Sequence, residues 1–309
     1  MHISDKVKKI LSYYESDTPG TKTNLAKILM HGKLAGTGKM VILPVDQGFE
    51  HGPARSFAMN PVAYDPEYHI NLAIDFGLSA YAAPLGMLET IASSYAGSIP
   101  LILKANSANS LTSKNNQPYQ AITASVPDAL RLGCSAIGFT IYPGSDNYLH
   151  MIEEISEISR EAKACGLAVI IWSYPRGGDI SKEGETSIDV ISYAAHMAAL
   201  IGAHIIKVKP PTKNIEIEAC KKIYSKHYIK TESLADRVSH VMESAFQCKR
   251  LVVFSGGATK TDEDIYAEIK SIRNGGGSGS IIGRNTFQRS YDDAKKLLSR
   301  IIDIYLNKA

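Results

Sequence analysis

The chain has 309 residues, of which 44% are hydrophobic and 21% are charged. This composition is typical of globular proteins and excludes the disordered and fibrous classes. The 34 basic and 31 acidic residues give a net charge of +3, which offers no electrostatic basis for binding nucleic acid or a membrane surface.

The four cysteines are widely separated and form no C-x-x-C pair, so neither a zinc site nor a disulfide framework is predicted. Such cysteines are typical of the reducing cytoplasm, where we expect this protein. The N-terminal residues lack the apolar core of a signal peptide, and no segment approaches the ~20 apolar residues of a membrane span.

Residues 1–38 form an N-terminal extension before the first predicted strand. Its pattern predicts one amphipathic helix, followed by a glycine-rich segment at 32–38 that leads into the first strand. We expect the extension to close the bottom of a barrel or to form a subunit contact.

From residue 40 onward, short apolar runs alternate with helical patterns, as in βαβ units around a parallel sheet. Strands buried on both faces are almost continuously apolar. Eight runs predict strands: 40–45, 79–83, 99–104, 136–142, 168–174, 204–209, 251–255 and 280–283. The pattern predicts a (β/α)8 TIM barrel, with a helical extension over 1–38 and a catalytic barrel domain over 39–309. An open doubly wound sheet is the alternative, but no dinucleotide-binding glycine motif follows the first strand.

Two connections between the strands are informative. In residues 146–165, apolar positions three and four residues apart predict a helix that Gly166 ends. Residues 106–122 are polar and follow the third strand. We expect a long loop there at the C-terminal face of the barrel, either open or closing over a ligand as a lid.

Two lysines occupy the sixth predicted strand. Lys207 and Lys209 share one face, ~6.6 Å apart, because strand residues alternate. A buried lysine amine beside a second cation loses its proton easily and becomes a nucleophile toward carbonyl carbon. We expect Lys207 to be the nucleophile, and Lys209 to modulate its pKa or to contact a phosphate. The alternative is a lysine that pairs with a carboxylate only to satisfy the core.

The fifth strand carries Trp172, Tyr174 and Arg176 on one face. A nearby ammonium favours a deprotonated tyrosine, which suits Tyr174 to proton transfer, although aromatic side chains near strand ends are often simple core packing.

Asp46 ends the first strand. Two roles are open for it. Either it caps or turns the following segment, or its carboxylate orients the lysine and exchanges protons with a carbinolamine. His51, on the same connection, is a further candidate for substrate binding.

The seventh and eighth strands end in turns rich in glycine. The two turns are Ser255-Gly256-Gly257 and Gly283-Arg284. Loops after these strands of a TIM barrel commonly hold phosphate through backbone N–H groups, and arginine adds further donors. A phosphate site is therefore predicted here.

Taken together, these segments resemble the archaeal-type class I fructose-1,6-bisphosphate aldolases, a family also found in bacteria. The matching segments are VDQGFEHGP (45–53), IIWSYPRGG (170–178), IIKVKPP (205–211), FSGGA (254–258) and IIGRNTFQR (281–289). Archaeal members commonly have histidine where this chain has Gln47, and the extension is closer to that of bacterial members.

The resemblance implies a metal-independent lyase, without cofactor, that cleaves fructose 1,6-bisphosphate to dihydroxyacetone phosphate and glyceraldehyde 3-phosphate in glycolysis and gluconeogenesis. It implies that Lys207 attacks the C2 ketone, that Tyr174 is the main acid and base, and that Trp172 lines the site. Asp46 would assist carbinolamine formation and dehydration. Family members usually assemble as large homo-oligomers, often decamers.

Two other functions remain open from the sequence. One is a related Schiff-base enzyme, similar to transaldolases or thiolases, that acts on another phosphorylated ketone. The other is a phosphosugar sensor that has lost catalysis, although a sensor would not need the lysine, tyrosine and aspartate together.

Overall fold

Eight parallel strands close into a barrel in the computed structural model, which describes residues 2–112, 117–256 and 261–308. Each strand pairs with its neighbours in chain order, and the eighth pairs with the first. The predicted (β/α)8 barrel is therefore confirmed, and the strand bounds differ from the predicted ones by no more than two residues. The strands are β1 (Met40–Pro44), β2 (Ala80–Pro84), β3 (Leu101–Lys104), β4 (Ala136–Ile141), β5 (Ala168–Ser173), β6 (Ile205–Val208), β7 (Leu251–Ser255) and β8 (Gly279–Ile281).

Helices surround the barrel and alternate with its strands along the chain. Apolar residues of the strands' outward faces and of these helices form one continuous buried layer. The helices are α1 (Asp5–Leu11), α2 (Pro19–Leu29), α3 (Gln47–His51), α4 (Pro53–Phe57), α5 (Pro66–Asp75), α6 (Leu85–Ile91), α7 (Val126–Arg131), α8 (Tyr148–Ala164), α9 (Ile188–Leu200), α10 (Glu218–Lys226), α11 (Leu234–Ser244), α12 (Asp262–Asn274), α13 (Arg284–Phe287) and α14 (Tyr291–Tyr305), with 3₁₀ turns at Pro61–Tyr64 and Gly184–Thr186.

The helix predicted over residues 146–165 is α8. Gly166 follows it with a φ of +83°, a left-handed conformation that glycine adopts without the strain of a Cβ. None of the helices within the described ranges combines the length and apolarity needed to cross a bilayer.

The N-terminal extension contains two helices, so the prediction of a single helix is wrong. Thr18 begins the second helix: its side chain accepts a hydrogen bond from the Thr21 N–H, and Pro19 occupies the first turn. The buried side chains of α1 and α2 pack against the apolar residues inside the barrel and close its N-terminal end. Tyr14, between the two helices, donates a hydrogen bond of 2.8 Å to the carbonyl of His204.

Alternation along the strands explains where the polar residues lie. The interior cluster contains Ile102 of β3, Ile170 of β5 and Ile205 of β6. Two residues further along β3 and β6, on the same face, lie Lys104 and Lys207. The barrel interior is therefore apolar toward its N-terminal end and charged toward its C-terminal end.

Residues 106–122 are more ordered than the predicted loop. Asn106–Ser107 and Ala121–Ile122 pair as an antiparallel ribbon beside the barrel. Residues 113–116 lie outside the described ranges, and closure of this segment over a ligand stays a prediction.

Candidate active site

A cavity of about 850 Å³ opens at the C-terminal end of the barrel. It gathers residues from distant parts of the chain, because parallel strands bring their C-terminal ends to one face. Ten of the twelve predicted site residues line it: Asp46, His51, Tyr174, Arg176, Lys207, Lys209, Ser255, Gly256, Gly283 and Arg284.

Lys207 lies in the wall of this cavity and is only 4% exposed. Its Nζ is 5.5 Å from the centroid of the Trp172 indole and 5.4 Å from that of the Tyr174 ring. Within the described residues, Nζ has neither a hydrogen bond nor an ion pair. Burial and the nearby Arg284 lower the pKa of Lys207 to about 8, against the opposing effect of Asp46 and Glu50. The amine is therefore unprotonated near neutral pH far more often than an ordinary lysine is.

Lys209 does not modulate Lys207 as predicted. Its Nζ donates to Oε2 of Glu185 at 3.1 Å, so its charge is already paired. Arg284, from the turn after β8, is the cation that lowers the pKa of Lys207. Because Lys209 still lines the cavity, a contact between it and a substrate phosphate stays a prediction.

Tyr174 follows β5 directly, and its environment is the reverse of the predicted one. Burial, followed by the charges of Asp46 and Glu50, raises its pKa well above the ordinary value, and Arg176 only partly opposes this. The predicted preference for the deprotonated form is wrong. In the resting site the phenol is therefore protonated.

Trp172 does not line the open cavity but packs at its base, between neighbouring strands. Its six-membered ring lies directly over Gly138 of β4, where an added Cβ would be 2.1 Å from the ring. Its indole N–H is buried and has no hydrogen-bond partner in the described part of the chain. Gly138 therefore makes the space in which Trp172 reaches Lys207.

Asp46 occupies the N-cap position of α3, yet its side chain makes no capping hydrogen bond. The carboxylate lines the cavity and acts electrostatically on both Lys207 and Tyr174. The carboxylate of Asp46 therefore does not cap the helix. The alternative, a carboxylate that orients the lysine, stays a prediction.

Glu50 connects two of the predicted site residues, Arg176 and His51. Its Oε1 accepts a hydrogen bond of 3.3 Å from Nη1 of Arg176, and its Oε2 is 3.9 Å from Nε2 of His51. Burial and the neighbouring arginines lower the pKa of His51, although Glu50 opposes them. The mouth of the cavity is therefore lined by a mixed group of charges.

The predicted phosphate turns lie together. The side chain of Asn285 donates to the carbonyl of Gly256 at 3.3 Å, which joins the turn after β7 to the turn after β8. A Cβ on Gly283 would be 2.7 Å from the carbonyl oxygen of Pro44, so the close approach to β1 requires glycine. Arg284 has no carboxylate partner among the described residues. Gly257 lies outside those residues.

Lys104 is a site residue that was not predicted. It ends β3, is 3% exposed, and its Nζ lies 5.8 Å from the centroid of the Trp172 ring. The available signal was the one used for Lys207, namely a lysine at the end of an apolar run.

The described residues contain no group of three or more histidine, cysteine, aspartate or glutamate side chains that could hold a metal ion.

Comparison with protein families gives a match over residues 40–289 to the family described as DeoC/LacD family aldolase. The fructose-bisphosphate aldolase class 1 of Thermoproteus tenax is 37% identical over 271 residues, which cover 87% of this chain and 90% of that protein. The probable fructose-bisphosphate aldolase class 1 of Chlamydia muridarum is 35% identical over 300 residues, covering 92% and 84% respectively.

A solved structure shares the fold closely. It is an archaeal fructose-1,6-bisphosphate aldolase whose catalytic lysine is covalently bound to the carbinolamine intermediate of the substrate. It is 34% identical, with a TM-score of 0.72, and the alignment covers 86% of this chain and 94% of the archaeal one.

Proposed function

The chain belongs to the DeoC/LacD family of aldolases, and on that premise we propose that it is a class I fructose-1,6-bisphosphate aldolase. The observation that carries the proposal is the buried amine of Lys207, which has a lowered pKa and no partner among the described residues, beside the proton donor Tyr174. This pair is what carbonyl chemistry through a Schiff base requires. The relatives named as class 1 aldolases support the choice of substrate.

Lys207 starts the reaction as a neutral amine. With a pKa of about 8, about a tenth of it is unprotonated at pH 7, compared with roughly one molecule in 3,000 at the ordinary lysine pKa. Its Nζ attacks the C2 ketone of the substrate and forms a carbinolamine. Loss of water from the carbinolamine then gives a protonated iminium.

Tyr174 supplies the proton for that loss and later recovers it. The neutral phenol protonates the departing hydroxyl, which leaves as water, and the iminium stabilises the phenolate that remains. The phenolate then takes the proton of the C4 hydroxyl. The C3–C4 bond breaks, its electron pair passes to the iminium, and the aldehyde product departs.

The remaining enamine is protonated at C3 by the phenol, and water releases the second product from Lys207. Asp46 assists both dehydration and hydrolysis, since its carboxylate faces Lys207 and Tyr174 and stabilises positive charge on the nitrogen. The turns at Ser255, Gly256, Gly257, Gly283 and Arg284 hold one phosphate of the substrate. We assign the other phosphate to Arg176, Lys209 and His51, which line the same cavity and can donate hydrogen bonds to it.

Reductive trapping tests the proposal. The protein is incubated with dihydroxyacetone phosphate and borohydride, digested, and mapped by mass spectrometry. We expect one adduct, on Lys207, and none on Lys209 or Lys104. An adduct on Lys209 or Lys104 would show that this lysine, and not Lys207, is the nucleophile. The absence of any adduct would contradict the Schiff-base mechanism.

The substrate is tested separately from the mechanism. Cleavage of fructose 1,6-bisphosphate is compared with cleavage of a panel of other phosphorylated ketones, with EDTA present. We expect fructose 1,6-bisphosphate to have the highest kcat/KM and EDTA to have no effect. A higher kcat/KM for another ketone would favour the alternative of a related Schiff-base enzyme, and binding without turnover would favour a sensor.

We also propose that the protein acts in glycolysis and gluconeogenesis, in the cytoplasm, and as a homo-oligomer. The cytoplasmic location is supported by the four cysteines, all of which have free thiols in the structure. Sedimentation of the purified protein tests whether it is a homo-oligomer. A monomer would contradict this proposal.

A further inference from the structure

Lys104 is a second buried lysine of the site, and the proposed reaction gives it no role. It stands on β3, paired in register with Gly138 of β4, whereas Lys207 stands on β6. The indole of Trp172 on β5 lies between them along the barrel wall, with the two Nζ atoms 5.8 and 5.5 Å from its centroid. Trp172 is therefore within cation–π distance of both ammonium groups.

The ammonium of Lys104 is held in a fixed position. Its Nζ donates to the backbone carbonyl of Asn106 and, at 2.8 Å, to the side-chain oxygen of the same residue. The Asn106 amide is fixed in turn by Thr140 of β4: its Nδ2 donates to the Thr140 carbonyl at 2.8 Å, and its Oδ1 accepts from the Thr140 N–H at 2.7 Å. The Asn106 side chain thus bonds to the backbone of Thr140 as a neighbouring strand would, and this fixed amide anchors Lys104.

This anchoring separates the two lysines chemically. Burial lowers the pKa of each to about 8, so their electrostatic environments alone do not identify the nucleophile. Lys104 uses two of its donor positions on Asn106, whereas Nζ of Lys207 has no hydrogen bond within the described ranges. Lys207 can therefore approach a carbonyl carbon, and Lys104 is held away from one.

The charges around the two lysines come from several elements. Asp46 and Glu50, from the segment after β1, attract both lysines, and Arg284 after β8 repels Lys207. The charge of Lys207 also lowers the pKa of Lys104, so the two ammonium groups repel each other. Lys104 also shares a small recess with Asp46, Tyr142 and Tyr174. Its positive charge thus faces the same carboxylate that acts on Lys207.

We propose that Lys104 is a positioning residue for the reaction: its ammonium, anchored by Asn106, offsets the charge of Asp46 and supports the indole of Trp172 beside Lys207. The inference rests on the proposed aldolase function. Without the fixed cation, only burial and Arg284 would oppose the carboxylates after β1, and Lys207 would stay protonated to a higher pH.

The test compares Lys104→Met, which removes the charge, with Lys104→Arg, which keeps it. The kcat/KM for cleavage of fructose 1,6-bisphosphate is measured from pH 6 to pH 10, where the acidic limb reports protonation of Lys207 in the free enzyme. We expect Lys104→Met to move that limb up by about one pH unit, because loss of a nearby cation favours the protonated amine. The arginine variant should keep the wild-type midpoint.

Lys39→Met is the matched control. Lys39 is another lysine with a pKa lowered to about 8 by burial, but it lies before β1 at the opposite end of the barrel, where its Nζ donates to the carbonyl of Gly277 at 2.5 Å. Its loss should lower thermal stability without moving the pH profile. A purely structural role for Lys104 predicts that its methionine variant behaves in the same way.

Two outcomes overturn the inference: a folded Lys104→Met enzyme with the wild-type midpoint, or a Lys104→Arg enzyme that shifts as far as Lys104→Met. If the methionine variant does not fold, Lys104→Gln, which keeps an amide donor for Asn106, makes the same comparison. An adduct on Lys207 together with an unshifted profile contradicts only the role of Lys104. Failure of the wild type to form any adduct contradicts the aldolase function, and this inference with it.

Discussion

Two buried polar residues only three positions apart in the chain have opposite environments: His204 at the N-terminal end of the barrel and Lys207 at its C-terminal end. At the N-terminal end, Nδ1 of His204 accepts from the Val169 N–H at 2.8 Å, and its Nε2 contacts Oδ2 of Asp17 at 3.0 Å. At the C-terminal end, Nζ of Lys207 has no such partner within the described residues. Both residues are almost fully buried. Satisfied polar groups stabilise the fold, whereas an unsatisfied buried amine keeps its lone pair for chemistry.

The largest effect expected from this contrast is that of Lys207→Met. Loss of the nucleophile should lower kcat by about 10⁵-fold or more and abolish the reductive adduct. The variant should nevertheless be at least as stable as the wild type, because an apolar chain of similar length replaces an unpaired amine. Steady-state kinetics and thermal unfolding measure the two effects together.

The stability gain of Lys207→Met should depend on pH. The pKa of Lys207 is about 8 in the fold and 10.5 in the unfolded chain, so the unfolded state binds more protons between these values. Wild-type stability therefore rises across that interval, and the advantage of the variant should be greatest below pH 8 and disappear toward pH 10.5. A variant that is less stable than the wild type at pH 7 would show that Lys207 has a structural role.

Tyr174→Phe should have the next largest effect. It removes the proton donor and should lower kcat by about 10²–10⁴-fold. Attack by Lys207 does not need the phenol, so mass spectrometry should show a bound species at the carbinolamine stage. Wild-type kcat in the phenylalanine variant would assign the proton transfers to another group, and Tyr142→Phe is the matched variant at a neighbouring tyrosine.

His204→Ala tests the other end of the barrel. It leaves the Val169 N–H and the Asp17 carboxylate without their partner and should destabilise the fold by about 3 kcal/mol, while kcat per folded molecule stays unchanged. Tyr14→Phe, which loses one hydrogen bond to the same residue, should cost about 1 kcal/mol. Urea unfolding monitored by circular dichroism measures both.

The destabilisation in His204→Ala should shrink at acid pH. Burial lowers the pKa of His204, so below about 6.5 the unfolded wild-type chain binds a proton that the folded chain resists. A large loss of kcat in either variant would contradict the division of roles between the two ends.

Gly138→Ala should have a smaller effect than His204→Ala. Its methyl group overlaps the Trp172 ring, and we expect a loss of about 2 kcal/mol in stability together with a lowered kcat. Trp172 is the single tryptophan of the chain, so its fluorescence reports the displacement directly. Gly86→Ala is the control, because an added Cβ there meets no atom within 4 Å. Unchanged fluorescence in Gly138→Ala would show that the backbone absorbs the overlap.

The barrel could be predicted because its strands are contiguous apolar runs, whose signal is local. Lys207 could be predicted for the same reason, since a charge in such a run stands out against its neighbours. The partner of Lys209 could not, because Glu185 is 24 residues away and the sequence does not show which carboxylate a lysine will meet.

The state of Tyr174 was mispredicted for a related reason. The expected ammonium lies nearby, but burial and two carboxylates from the segment after β1 outweigh it. Burial and through-space charge depend on the assembled site. Their combined effect on the pKa of Tyr174 therefore cannot be predicted from the spacing of residues along the sequence. Thr18 and Pro19, by contrast, were local signals of a second N-terminal helix that the sequence analysis overlooked.

The hydrogen bond from Tyr14 to the carbonyl of His204 joins residues 190 positions apart in the chain. During synthesis, the two N-terminal helices therefore emerge long before the surface that receives them. They can dock only after most of the barrel strands have been made and paired. Because such distant contacts form slowly, we expect this docking to be a late step on the ribosome and in refolding alike.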